Sequence, residues 1–159
     1  MDGENNIRKA VKDDIPDILK LLGQVNDLHA EGRPDLFIGG RTKYTADEIG
    51  EIIERSDRAV FVYSENGGVS GYAFCELNDF SGSHNLTDRR EIYIDDICVD
   101  ETRRGDHIGT KLYRYVRKYA ADNGFYRITL NVWSLNPDAE AFYRSLGMKV
   151  FKLGMEDIL

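Results

Sequence analysis

Residues 100–116 read DETRRGDHIGTKLYRYV, and they place two arginines and two glycines directly before a run with helical spacing. The surrounding chain has a formal net charge of −7, so a loop with two adjacent arginines and two glycines needs an explanation. A helix that starts on such a loop offers unpaired backbone N–H groups and the positive end of its dipole. Anions such as a pyrophosphate bind there, and Arg103 or Arg104 can add charge. An ordinary basic turn is the other reading. The stretch is not a Walker loop, because no Gly-Lys-Ser/Thr occurs, and it lacks the first two glycines of the dinucleotide fingerprint in register.

Upstream lies EIYIDDICVD (Glu91–Asp100), a strand with apolar residues on both faces and therefore central in its sheet. Downstream, Ile108, Leu112, Tyr115, Val116 and Tyr119 form the apolar face of a helix that Gly124 ends. RITLNVW is a further strand. NPDAEAFYRSLG is a short helix with Asn136 as cap, Pro137 first and Gly147 as stop, and MKVFKLG is a closing strand. Toward the N-terminus, RAVFVYS and VSGYAFCELN form a hairpin across ENGG. TADEIGEIIERS opens a helix with the capping box Thr45–Glu48. IRKAV (Ile7–Val11) is a first strand, and DDIPDILKLLGQVN a helix with an aspartate cap and Pro16 in its first turn. His29–Tyr44 is a long loop, of a length that is usually functional, and DFSGSHNLTDRR is a second loop. The order β-α-α-β-β-β-α-β-α-β has no repeat and no linker. It predicts a mixed α+β fold, one domain over residues 1–159.

Ordinary apolar content and dispersed charge describe a globular chain rather than a disordered one. A pI near 5.0 argues against nucleic-acid binding and favours a cationic partner. Cys75 and Cys98 lie in apolar runs and form no metal or redox motif, so buried free thiols are expected. No run reaches the roughly 18 apolar residues of a membrane span, and the N-terminus is polar. The expectation is a cytoplasmic protein with no membrane partner. His29 and His84 fall in polar loops with no companion at metal-ligand spacing, so no metal is expected.

Strand YIDDICVD, loop ETRRGDHIG, helix TKLYRYVRKYAADNG, strand RITLNV and helix NPDAEAFYRSLGM together resemble the GNAT superfamily of acyl-coenzyme A-dependent N-acyltransferases. The resemblance is detailed over Glu91–Met148 and fits the element order of the whole chain. It implies a central, mostly antiparallel twisted sheet with a splayed parallel strand pair, flanked by helices, and acetyl-coenzyme A as co-substrate. The family's pyrophosphate loop, Gln/Arg-x-x-Gly-x-Gly/Ala, maps onto Arg104–Gly109, with His107 where the middle glycine is usual. Cofactor contacts are thus implied for Arg104, Gly105, Asp106, His107, Ile108, Gly109 and Thr110. If the His107 position needs positive φ, histidine carries a steric cost that the adjacent Gly105 can relieve. By the same resemblance the splayed strands are Ile92–Val99 and Arg127–Val132. Main chain at Ile97, Cys98 and Val99 would contact the acyl-pantetheine, and Asn136 would contact coenzyme A.

Acyl transfer to an amine requires that the amine lose a proton and that the leaving thiolate gain a hydrogen bond or proton. Tyr143 matches the family's general-acid tyrosine, and a phenol of pKa about 10 keeps its proton at neutral pH. A plain packing aromatic beside Phe142 is the competing reading. Asp95 and Asp96 interrupt an apolar strand, where an unpaired carboxylate is costly. Strict alternation sends them to opposite faces, so one of them would face the acceptor cleft. YIDDICV is similar to the strand of diamine acetyltransferases, where a glutamate matches Asp95, which makes Asp95 the first candidate base and Asp96 the second. Pairing of either with Arg89 or Arg90 is the structural alternative. Some family members acting on protein N-termini use a glutamate where this chain has Asn131, which argues against that branch. Trp133 ends a strand near the expected acceptor opening, as packing or as lining. Arg33, Phe37 and Tyr44 lie in the loop that covers the acceptor cleft in this fold.

The reading is an acetyl-coenzyme A-dependent N-acetyltransferase acting by direct transfer in a ternary complex. No cysteine–histidine arrangement suggests an acyl-enzyme. The acceptor expected is a primary amine of a small molecule, polyamine- or aminoglycoside-like, or of a peptide. A homodimer is common in the family. A non-catalytic acyl-coenzyme A sensor and an interaction module without the cofactor are the rival classes.

Overall fold

The computed structural model describes residues 6–159. The chain runs β1 (Ile7–Lys9), a 3-10 turn (Lys12–Asp14), α1 (Ile15–Gly32), α2 (Ala46–Glu54), β2 (Arg58–Glu65) and β3 (Gly68–Asp79). It continues through β4 (Arg90–Val99), a second 3-10 turn (Glu101–Arg103), α3 (Ile108–Asp122), β5 (Arg127–Leu130) and α4 (Pro137–Ser145). The sheet order is β1-β2-β3-β4-β5, antiparallel through β4 and parallel between β4 and β5. Asn66 and Gly67 both take positive φ, which matches the two-residue turn that joins β2 to β3 without splaying them.

Helices cover both faces of this sheet. On one face, Ile108, Leu112 and Val116 of α3 pack on Phe61, Ala73, Ile92 and Ile94. On the other, Ile18, Leu21 and Leu22 of α1 and Ile49 of α2 pack on Val60, Val62, Tyr72 and Phe74. Full burial of such side chains contributes roughly 2 kcal/mol each. Cys75 belongs to the first face and Cys98 to the second, both buried and both free, so the sheet itself separates the thiols. The capping box holds as the sequence requires: Thr45 N–H donates to Glu48 Oε2 at 2.7 Å and Glu48 N–H to Thr45 Oγ1 at 3.2 Å.

Several boundaries differ from the sequence reading. Helix α1 continues to Gly32, so His29 is helical, and the loop begins at Arg33. Asp14 does not cap α1 with its side chain. Its carboxylate instead accepts two hydrogen bonds from the Arg8 guanidinium (2.7 and 2.9 Å) and one from Val11 N–H (2.8 Å). Strand β5 stops at Leu130. The closing strand expected over MKVFKLG does not form. Val150, Phe151 and Leu153 are exposed, because a stretch apolar on both faces needs cover from two sides, which no element among the described residues supplies.

One ionic cluster fixes the start of the parallel pair. Glu91, buried opposite Arg127 in the ladder, accepts from Arg127 Nε at 2.7 Å and from Arg89 Nε on its other flank. Burial raises its pKa, but the Arg127 and Arg89 hydrogen bonds outweigh burial and hold it below its ordinary value of 4.5. Glu91→Gln should therefore lose about 1–3 kcal/mol of stability in urea unfolding at pH 7. A depressed carboxyl contributes above its unfolded pKa and loses that contribution as pH falls. The gap between Glu91→Gln and parent should accordingly shrink below about pH 4.5.

Candidate active site

The ladder between β4 and β5 runs from Glu91↔Arg127 to Ile94↔Leu130 and ends there. Strand β4 continues to Val99, paired among the described residues only with β3. The edge of Asp95–Val99 that would face β5 is therefore open, which is the splay the family resemblance implies. The parting begins at an irregularity in the strand itself. Phe74 pairs with Asp96 and Cys75 with Ile94, so Asp95 is an extra residue, a β-bulge.

The bulge overturns the alternation expected for the two carboxylates. Asp95 accepts from Tyr44 Oη at 3.0 Å, and Tyr44 packs against the α1–α2 side of the sheet. Asp96 accepts from Tyr72 Oη at 2.5 Å, and Tyr72 lies in that same cluster. Both carboxylates thus serve one face, while Ile94 and Ile97 pack against the α3 side. Neither aspartate pairs with Arg89 or Arg90; Arg89 is held by Glu91, and Arg90 donates to the Asn123 carbonyl.

The two carboxylates have different surroundings. Lys43 Nζ from the long loop sits on both oxygens of Asp95, at 2.7 and 2.8 Å. Partial burial works against the charge of Lys43, yet the Asp95 hydrogen bond raises its pKa overall. Tyr44, stacked on Phe74 at 5.6 Å, carries this arm of the loop over β3 and β4. A pocket beside Asp95 is lined by Tyr44, Ile52, Phe74 and Glu76. Asp96 forms no ion pair among the described residues, and the Lys43 charge acts on it only as a minor opposing influence. Burial pushes its pKa up to about 6, against the opposing Tyr72 hydrogen bond, with the Asp95 charge adding to the rise. Tyr72 is itself raised well above its ordinary value by burial and then by Asp96.

Tyr143 stands on α4, reached through tight packing. A Cβ at Gly109 would lie 3.4 Å from Phe142 Cζ, so glycine there lets α4 close on the start of α3. The Tyr143 ring lies edge-on to Phe142 at 5.0 Å and to Tyr113 at 6.4 Å. Burial raises its pKa, and the Asp96 charge raises it further, so the phenol is protonated at neutral pH and in the electrostatic reach of that carboxylate. Its hydroxyl makes no hydrogen bond among the described residues. Asn136 caps α4 by accepting from Ala139 N–H at 3.1 Å, and Asn131 donates to Tyr93 Oη at 3.2 Å.

The loop at 104–110 is open to a ligand. Gly105 has φ 94° and His107 φ 59°, so the histidine does occupy a left-handed position. Among the described residues, no main-chain N–H from Arg104 to Thr110 donates a hydrogen bond to the protein. The side chains divide the work. Arg103 is tied to Glu65 and Asp106, each at 2.8 Å, and shapes the loop. Arg104 is exposed and makes no ion pair among the described residues. Ile108 is buried in the core. Cys98 is buried, and Ile97 and Val99 are partly buried, so these strand residues offer a ligand mainly their backbone. Trp133 meets Phe37 edge-on at 5.5 Å and His29 at 6.1 Å, which joins the end of β5 to the first loop. The residues that sequence reasoning missed are Lys43 and Tyr72; the polar doublet Asp95-Asp96 in an alternating strand was the available sign of the bulge that gathers them.

The sheet is mixed and opens at its parallel pair, and a helix start presents its unbonded amides near the opening. The chain belongs to the Acetyltransferase (GNAT) family, whose profile matches residues 25–148. It is 30% identical over 143 residues to an N-acetyltransferase of Methanocaldococcus jannaschii, covering 90% of this chain and 60% of that protein. It is 28% identical over 141 residues to thialysine N-epsilon-acetyltransferase of Bos taurus, covering 89% of this chain and 82% of that one. The chain thus spans about three fifths of the length of the archaeal relative. The solved structure of a mutant BH1408 protein from Bacillus halodurans superposes with a TM-score of 0.90 at 30% identity, over 96% of this chain and 98% of that one. Among the described residues, no helix is long and apolar enough to cross a membrane.

The raised carboxyl of Asp96 has a measurable consequence. A carboxyl whose folded pKa exceeds its unfolded value contributes stability in acid and loses it as pH rises through the folded value. The parent should lose roughly 2–3 kcal/mol relative to Asp96→Asn between about pH 4 and pH 6. Paired urea titrations at those two pH values measure the difference.

Proposed function

We propose that this protein is an N-acetyltransferase that moves an acetyl group from acetyl-coenzyme A to a primary amine in a ternary complex. The observation that carries the reading is the run of unbonded amides at 104–110, placed where β4 and β5 part and where α4 brings up Tyr143. A diphosphate suits that loop: it offers successive main-chain donors and a helix N-terminus, and Arg104, exposed on the same loop, makes no ion pair among the described residues. The open edge at Ile97, Cys98 and Val99 suits an extended, amide-bearing arm that pairs as a strand would. Acetyl-coenzyme A supplies the activated acyl group; the protein supplies position and proton traffic.

The carboxylate roles follow from their surroundings. Asp95 already holds a primary ammonium, that of Lys43, with Tyr44 completing the shell. We assign it the recognition of the incoming acceptor ammonium, which must displace Lys43. Asp96, raised to about 6 and in no ion pair among the described residues, is the better proton acceptor near neutral pH. Tyr143 keeps its proton and donates it to the departing sulfur. The acceptor class is a small cationic primary amine, in keeping with the acidic chain and with the relative named for acetylating the ε-nitrogen of thialysine. A peptide amine is the alternative. One domain over 1–159 and a cytoplasmic location complete the proposal.

Release of free thiol from acetyl-coenzyme A with a panel of amines tests the activity. Tyr143→Phe should lower kcat about 10²–10⁴-fold and leave coenzyme A affinity by calorimetry unchanged. Equal loss of both would remove Tyr143 from the acid role. Arg104→Ala should weaken coenzyme A binding about tenfold, with a shallower salt dependence and little change in Tm, as loss of one charge-assisted phosphate contact requires.

A further inference from the structure

The long loop between α1 and α2 carries one lysine, and that lysine ends inside the site. Lys43 Nζ lies 2.7 and 2.8 Å from the two Asp95 oxygens and 5.4 Å from the centre of the Tyr44 ring. Asp95 is the first residue of β4 beyond Ile94↔Leu130, the last pair of the β4–β5 ladder. The ammonium therefore stands at the mouth of the opening between the two strands. Its charge is felt across that mouth. Burial and then Lys43 lower the pKa of His29, and Lys43 opposes the rise that burial and Asp95 impose on Tyr93. Tyr93 in turn accepts a hydrogen bond from Asn131, the first residue past the end of β5.

An ordinary ion pair explains the contact but not its place. The Asp95 side chain is only 11% exposed, whereas that of Lys43 is 51% exposed. A pair with one partner so open to solvent holds weakly. The seat is thus fixed in the strand, and its occupant is a replaceable arm of a loop. That occupant is a primary alkylammonium, held by the carboxylate assigned above to the acceptor ammonium, with Asp96 next to it in the strand. Whatever makes a free amine a substrate at Asp95 applies equally to Lys43, and the tether adds the advantage of proximity.

We propose that Lys43 is itself an acetyl acceptor, modified within its own chain, and that until it is modified its ammonium keeps free amines from Asp95. This inference rests on the acetyl-transfer reading. In the step, the Lys43 nitrogen forms a bond to the acetyl carbonyl carbon of acetyl-coenzyme A, and the carbon–sulfur bond breaks. The nitrogen loses two protons. Asp96 takes one and passes it to solvent; Tyr143 gives its phenol proton to sulfur and recovers the other by way of solvent. The products are an amide at Lys43, coenzyme A with a free thiol, and one released proton. The amide carries no charge, so Asp95 keeps the Tyr44 hydroxyl and loses its cation. The carboxylate is then open to a free amine.

The full chain incubated with acetyl-coenzyme A and no acceptor, then digested and weighed by mass spectrometry, should gain an acetyl group at Lys43. Lys12, paired with Glu54 and 64% exposed, is the internal control. Lys43 should react at least about tenfold faster than Lys12, at a first-order rate independent of protein concentration. Excess free coenzyme A should suppress the reaction at Lys43 and leave that at Lys12 unchanged. Lys43→Gln copies the uncharged product and needs no coenzyme: by calorimetry it should bind 1,3-diaminopropane about tenfold more tightly than the parent does. Equal modification of Lys43 and Lys12, a rate that rises with protein concentration, or an unchanged amine affinity in Lys43→Gln overturns the proposal. Free amines acetylated while Lys43 stays unmodified would overturn it and leave the acetyl-transfer reading standing. No thiol release with any amine, together with an unmodified Lys43, would end both. The mass result on the parent decides the modification even if the variant fails to fold.

Discussion

The site rests on a controlled failure of strand pairing. Strands β4 and β5 are clamped at one end, where Glu91 lies between the guanidiniums of Arg89 and Arg127. Four residues later the pairing stops, at the point where β4 takes on the extra residue Asp95. A parallel pair clamped at one end and released at the other makes a wedge whose inner edges carry unsatisfied backbone groups. Such groups persist only where something else completes them. The wedge is therefore both the structural cost of the fold and the reason it can receive a ligand.

Everything of chemical interest is arranged around the open end of that wedge. The bulge rotates two successive carboxylates onto one face, and the neighbours differ enough to separate their behaviour. Asp95 has an ammonium and a phenol at hydrogen-bond distance; Asp96 has the Tyr72 phenol and a deep setting, with the Lys43 charge a weaker influence. The loop that follows divides two successive arginines in the same way, with Arg103 spent on Glu65 and Asp106 and Arg104 left to solvent. Because Glu65 and Asp106 are both paired with Arg103, the neighbouring Arg104 keeps an exposed positive charge on the loop of a chain whose net charge is −7.

Much of this was legible in the sequence because local chemistry determined it. The Thr45–Glu48 box, the Asn66-Gly67 turn and the Asn136-Pro137 helix start are short-range signals, and each holds. The left-handed histidine at 107 was expressible only as a condition, since φ depends on how the loop closes. The orientation of Asp95 and Asp96 failed because strict alternation ignores a bulge, and register belongs to the partner strand. Lys43 was invisible for a similar reason: its meeting with Asp95 joins positions far apart in the chain. The stretch after Met148 has the composition of a strand, yet its backbone pairs with none of the described residues and its apolar side chains stay exposed.

The two cysteines carry a practical corollary. Each is buried on its own side of the sheet, and burial pushes both thiols up to about 12. Neither presents appreciable thiolate at neutral pH, and neither can reach the other. A colorimetric reagent that traps liberated sulfhydryl groups would meet almost no background from the folded polypeptide, and alkylating or mildly oxidising conditions should leave its interior untouched.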